Sequence, residues 1–146
     1  MRRIFILLLL TALTLSCGDQ FDKKVKFIKH STMLINKSFE LSKEIYIDKF
    51  PDRKLLSSRI ENFLNESKSL EPVSGWDVSD TIKNNIVEAF TLDLRFNQTL
   101  DSLQSNNNNP DSKLMSALLG ATSLEMKKGI HSIIRDEFDK LKMQPE

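Results

Sequence analysis

The chain has 146 residues, with a single cysteine, four glycines, four prolines, and 21 basic side chains set against 20 acidic ones. That length suits one domain, and the balanced charge excludes the dense basic stripe with which a protein grips nucleic acid. A lone cysteine excludes an internal disulfide framework, so any core must be held by packing.

The chain opens on Arg2 and Arg3, and an apolar or hydroxyl-bearing run of 12 residues follows from Ile4 to Leu15. A membrane-spanning helix needs about 20 such residues, so this run is too short to be a stable span. Positive start, apolar middle and the approach through Thr14, Leu15 and Ser16 to Cys17 form the layout of a secretory signal peptide over residues 1–16.

The stretch "LTLSCG" resembles the lipobox of bacterial lipoproteins, in its looser form: Leu13 stands four before Cys17, Thr14 three before it, and Leu15 takes a place where a small residue is usual. The resemblance covers only these first residues. It implies cleavage between Ser16 and Cys17 and a diacylglyceryl group on Cys17, so that the mature chain is held on a membrane by its lipid. An exported chain with one thiol has no internal partner for it, and acylation gives that thiol a use. Stable anchoring takes two acyl chains or one chain plus basic residues, at about 0.8 kcal/mol for each buried methylene. Gly18 rather than Asp follows Cys17, which under the enterobacterial sorting rule implies the outer membrane. Residues 17–20 leave only a short tether, so the folded part, residues 21–146, is expected close to the bilayer, where Lys23, Lys24, Lys26 and Lys29 could touch headgroups. Removing Arg2 and Arg3 from the 21 basic residues leaves 19 against 20 acidic ones.

The mature chain reads as all-α, a single bundle of four to five helices. Phe21, Val25, Ile28, Thr32, Ile35, Phe39, Ser42 and Tyr46 step by fours and threes, and Phe27, Leu34, Leu41 and Ile45 form a second row. Together they predict a helix over residues 20–48 whose wide stripe suits a bundle better than a coiled coil. Pro51 and Asp52 mark a turn and restart. Leu55, Leu56, Ile60, Phe63 and Leu64 define a second helix ending near Ser69, before a loop with Pro72 and Gly75. Ser79 or Asp80 is the expected cap of a third helix carrying Ile82, Ile86, Ala89, Phe90, Leu100 and Leu103. Its segment "TLDLRFN" alternates like a strand, but one isolated strand has no partner, so it is read as helix. Asn106 to Asn109 and Pro110 form a surface connector. A fourth helix should then turn Leu114, Met115, Leu118, Leu119, Thr122 and Met126 inward and stop at Lys127, Lys128 and Gly129. A fifth would occupy residues 132–142, unless the two are one bent helix.

Catalytic fingerprints are sparse. His30 and His131 are the two histidines, and neither belongs to an H-E-x-x-H or E-x-x-H arrangement that would gather a metal on one helix face. No metal or other cofactor is expected. Glu40 and Glu44, and Glu44 and Asp48, stand four apart, but Lys37 and Lys43 lie near enough to neutralise them. No glycine-rich phosphate loop occurs, and Ser74–Gly75 lacks the rest of a nucleophile elbow. Asn36, Asn65 and Asn97 begin N-x-S/T sequons, read as chance matches in an Asn- and Ser-rich chain. Trp76, in the loop before the third helix, is the candidate partner contact, with the alternative that it folds back to plug the bundle.

The expectation is a non-enzymatic, lipid-anchored envelope lipoprotein acting by protein–protein contact, as in envelope assembly, where secretin pilotins offer an analogy of size alone. A host-facing surface lipoprotein, an immunity protein, a small-ligand carrier and an envelope hydrolase are the alternatives.

Overall fold

The computed structural model describes residues 2–46, 52–105 and 110–143, with the backbone alone for residues 2–18, 104, 105 and 112. Its four helices are α1 (Arg2–Tyr46), α2 (Arg53–Ser69), α3 (Asp77–Ser105) and α4 (Pro110–Lys142), and the described residues contain no strand. The chain is an all-α four-helix bundle. α3 and α4 share the most extensive interface, α3 also packs on α2, and α1 lies against all three others.

α1 is longer than its apolar stripe predicts, because the backbone is already helical from Arg2; residues 47 and 48 lie outside the described part. Of the two expected rows, the second is the deeper: Leu34, Leu41 and Ile45 are almost wholly enclosed, as are Ile28 and Ile35 of the first, whereas Phe21 and Tyr46 at the ends are exposed. α2 restarts as expected at Asp52, whose carboxylate accepts from the N–H groups of Lys54 (3.0 Å) and Leu55 (2.9 Å), satisfying two donors that the first helical turn leaves free. Leu56, Ile60 and Leu64 face the core, while Leu55 is exposed.

α3 begins at Asp77, two to three residues ahead of the expected caps. Ser79 is instead a buried fastener. Its hydroxyl accepts from Val73 N–H at 2.9 Å and donates to the Trp76 carbonyl at 2.7 Å, tying the loop to the first turn of the helix. The loop itself closes through Trp76 N–H to the Val73 carbonyl (3.0 Å), with Gly75 at φ 75°, a left-handed backbone that side chains with a Cβ disfavour. Ile82, Ile86, Ala89 and Phe90 line the core as anticipated, and "TLDLRFN" is helical throughout.

α4 departs most from expectation. It runs through Lys127, Lys128 and Gly129 without a break, so the expected fourth and fifth helices are one. Its inward face is also different: Ser116, Gly120, Ser123, Lys127, Ile130 and Ile134 are buried, while Leu114, Met115, Leu118 and Thr122 are exposed. Only Leu119 and Met126 of the expected inward set pack, partly, on the core. Gly120 explains part of this. A Cβ there would collide with Tyr46 Oη and come within 3.2 Å of Phe96 Cζ, so α1 and α3 close on α4 where it has no side chain.

The contact of Tyr46, Phe96 and Gly120 also sets the bundle's ends. Beyond that level α3 and α4 continue as a hairpin for about 15 Å of helical rise. The opposite end is where α1 emerges from Cys17 and where Gln20 Nε2 donates to the Ser74 carbonyl.

Candidate functional site

Asp93 and Lys127 form an ion pair with no side-chain exposure at the middle of the bundle, Lys127 Nζ lying 2.6 Å and 2.7 Å from the two carboxylate oxygens. Asp93 also accepts from the hydroxyls of Ser38 (2.8 Å), Ser42 (3.2 Å) and Ser123 (2.7 Å), and Lys127 donates to the Ser38 carbonyl (3.2 Å) and to Ser42 Oγ. The cluster thus joins α1, α3 and α4 at one level. Burial pulls the Lys127 ammonium below its usual pKa, and the Asp93 charge and hydrogen bonds oppose that pull. Closed to solvent on every side, it gives a substrate no access and works as a structural lock.

Cys17 and Ser16 lie on the α1 backbone, within the stretch whose side chains are not described. The tether read at residues 17–20 is helical and continuous with the bundle, with Asp19 paired to Lys23 at 2.6 Å. Trp76 is half-buried. Its ring meets Phe27 edge-on at 5.8 Å between centroids, and Lys24 Nζ stands 5.5 Å from the ring centre, so the indole closes the Cys17 end of the bundle. Glu40 and Glu44 do not converge: Glu40 accepts from Lys37 at 2.7 Å, which holds its carboxyl below the usual range, and Glu44 is bound in bidentate fashion by Arg59. Asp48 lies outside the described residues. His30 Nε2 is 2.9 Å from Glu66 Oε1, and His131 is exposed on α4. Asn97 of the third sequon is wholly buried, with its amide bound to the Arg53 carbonyl and to Ser57 Oγ at 2.9 Å each, so a sugar has no access to it. Among the described residues no three His, Cys, Asp or Glu side chains come together as metal ligands, and no helix is long and apolar enough to cross a membrane.

Single exposed apolar side chains occur on α1 and α2, at Phe21, Met33, Tyr46 and Leu55, but neighbouring ones gather on α4. Its outward apolar row, Leu114, Met115 and Leu118, is 53–63% exposed and occupies the hairpin that projects past Tyr46. Towards the middle of the helix the row leads into a shallow groove of about 600 Å³ between α3 and α4, floored by Met126, Ile130 and Ile133. On its other flank, facing α1, α4 borders two neighbouring hollows of about 370 and 610 Å³ that share His131 and Arg135 in their linings. Sequence reasoning missed both surfaces because it assigned the apolar row to the core and treated Lys128 as a helix terminus. A partial signal did exist: Ser116, Gly120, Ser123 and Lys127 lead at helical spacing into Ile130, Ile134 and Leu141, a row that is apolar only in its second half. No protein-family model matches this chain, and no curated protein or solved structure matches it either.

Proposed function

We propose that the protein is a bacterial envelope lipoprotein, exported by residues 1–16, anchored through lipid on Cys17 at the outer membrane, and acting by protein–protein contact without chemistry of its own. The observation that carries the contact reading is the exposed row Leu114, Met115 and Leu118. Each such side chain left in water forgoes roughly 1.5–3 kcal/mol of burial, and a contiguous set of them is the usual mark of a surface that another protein covers. The row's position adds a geometric element. From Asp19, two residues after the anchor, α1 rises about 40 Å before Tyr46, and the hairpin bearing the row begins there. Lipid on Cys17 would thus keep the base at the bilayer while the continuous helix α1 holds the exposed row away from it. The hollows described above are open grooves, which favours contact over carriage of an enclosed ligand.

Two measurements test this reading. Cells fed a fatty-acid probe should label the wild-type chain and not Cys17→Ala; equal labelling of both would remove the anchor. Leu118→Asp, at a position 55% exposed, should change folding stability by less than about 0.5 kcal/mol while abolishing in-cell crosslinks made from the hairpin. Crosslinks that persist unchanged in that variant would remove the row as the contact.

A further inference from the structure

The groove marked by the two neighbouring hollows between α1 and α4 has apolar residues along it, Ile28, Ile134 and Phe138 in one hollow and Phe39 in the other. Ile28 and Ile134 are buried in it, and the two phenylalanines present part of their rings to solvent. The rim carries four cations, Lys29 and Lys43 on α1 and Lys128 and Arg135 on α4, with His131 beside the last two. The one acidic residue lining it, Glu40, is already engaged by Lys37. Lys128 contacts Glu125 at 2.7 Å and Arg135 approaches Asp136 at 3.8 Å, but these are solvent-exposed pairs worth about 0–1 kcal/mol, readily exchanged for an incoming carboxylate.

We propose that this groove seats an acidic amphipathic helix of a protein partner, its apolar face on Ile28, Phe39, Ile134 and Phe138 and its carboxylates against the cationic rim. The proposal goes beyond the contact reading above, because it concerns a different face of α4 from the row Leu114, Met115 and Leu118. Three features select this occupant. The rim cations extend from Lys29 to Lys43, about 21 Å of helical rise, a length matched by a helix of roughly 14 residues. Charges distributed along such a length suit a row of carboxylates, whereas a single anionic headgroup would need them to converge. The apolar residues between them offer the occupant's apolar face a surface to pack on, and the net positive rim gives register and steering.

The experiment uses the full chain in nanodiscs of neutral phosphatidylcholine and a fluorescent 16-residue peptide with leucines on one helical face and glutamates on the others. A twin peptide carries lysine at every glutamate. Anisotropy should show salt-sensitive binding of the acidic peptide, roughly tenfold or more weaker binding of the lysine twin, and a loss of tenfold or more in the double variant Lys128→Glu/Arg135→Glu. Both substituted side chains are exposed, so the melting temperature should hold and certify that the variant is folded. Equal binding of the two peptides, or unchanged binding by the folded double variant, would overturn the proposal. So would flotation of the Cys17→Ala chain with phosphatidylglycerol vesicles that is lost when Lys128→Glu/Arg135→Glu is added, while the acidic peptide fails to bind, since the rim would then be a membrane contact. Failure of the peptide with Cys17 labelled removes the groove and leaves the anchor; failure of labelling with the peptide bound removes the anchor and leaves the groove.

Discussion

Replacing Asp93 by asparagine tests whether the central ion pair locks the three helices that meet there. The carboxylate receives both contacts from Lys127 and three serine hydroxyls, and neither member of the pair has any exposed side-chain surface. Asparagine keeps the shape but removes the charge, leaving the Lys127 ammonium without a counter-ion in a site closed to water. Breaking a buried pair from one side costs about 3–5 kcal/mol, a large share of the 5–15 kcal/mol typical of a domain, and should lower the melting temperature by roughly 15 °C. Lys127→Met should cost a similar amount by stranding Asp93. The double variant Asp93→Asn/Lys127→Met should recover most of the loss, because neither charge is then buried without its partner and the asparagine carbonyl can still accept from the serine hydroxyls. Urea denaturation followed by far-ultraviolet circular dichroism gives all four free energies and hence the coupling between the two sites. The pH dependence supplies an independent check. Burial already lowers the Lys127 pKa, and loss of the opposing Asp93 charge lowers it further. Between that lowered value and the ordinary 10.5 the unfolded chain binds the proton and the folded chain does not, so stability rises with pH across this window. The deficit of Asp93→Asn should therefore shrink as the pH climbs towards 10.5. Single variants that each cost less than about 1 kcal/mol, or a double variant as damaged as the sum of the singles, would refute the lock.

Further expectations concern the backbone. Gly120→Ala should destabilise by about 1 kcal/mol or more, since the new methyl meets Tyr46 and the buried Phe96, whereas Gly129→Ala, with no atom within 4 Å, should stabilise by up to about 1 kcal/mol through helix propensity; thermal melts of the pair read both signs. Asp52→Ala removes the acceptor for two α2 N–H groups and should cost about 1 kcal/mol in urea titration, with serine at the same position restoring most of it.

Much of the architecture was legible from local chemistry. The all-helical class, the restart at Asp52, the loop around Gly75 and the burial of Leu56, Ile60 and Leu64 on α2 and of Ile82, Ile86, Ala89 and Phe90 on α3 follow from apolar spacing and from residues that cap or turn the backbone, whereas Leu55 of the expected α2 set is exposed. The caps proposed for α3 failed because Ser79 had a stronger use in fastening Val73 and Trp76, a demand that only the folded loop creates. At the surface, Trp76 stood out for its residue type, whereas the cationic rim drew no notice because Lys128, His131 and Arg135 meet Lys29 and Lys43 only once α1 and α4 lie side by side.

By itself, the sequence determined that this chain makes amphipathic helices, where three of them break, and that its opening residues resemble a lipoprotein signal ending at Cys17. Tertiary structure decided which way α4 faces. Periodicity identifies the most apolar face, and on the first half of α4 that is not the face that is buried; the choice was made by residues far away in the chain. Asp93, once buried on α3, demands a cation and hydroxyl donors, and Lys127 and Ser123 are the groups on α4 that meet it. Tyr46 and Phe96 press where Gly120 leaves room. Satisfying a buried charge outweighs burying Leu114, Met115 and Leu118, and so the more hydrophobic row is the one left facing outward.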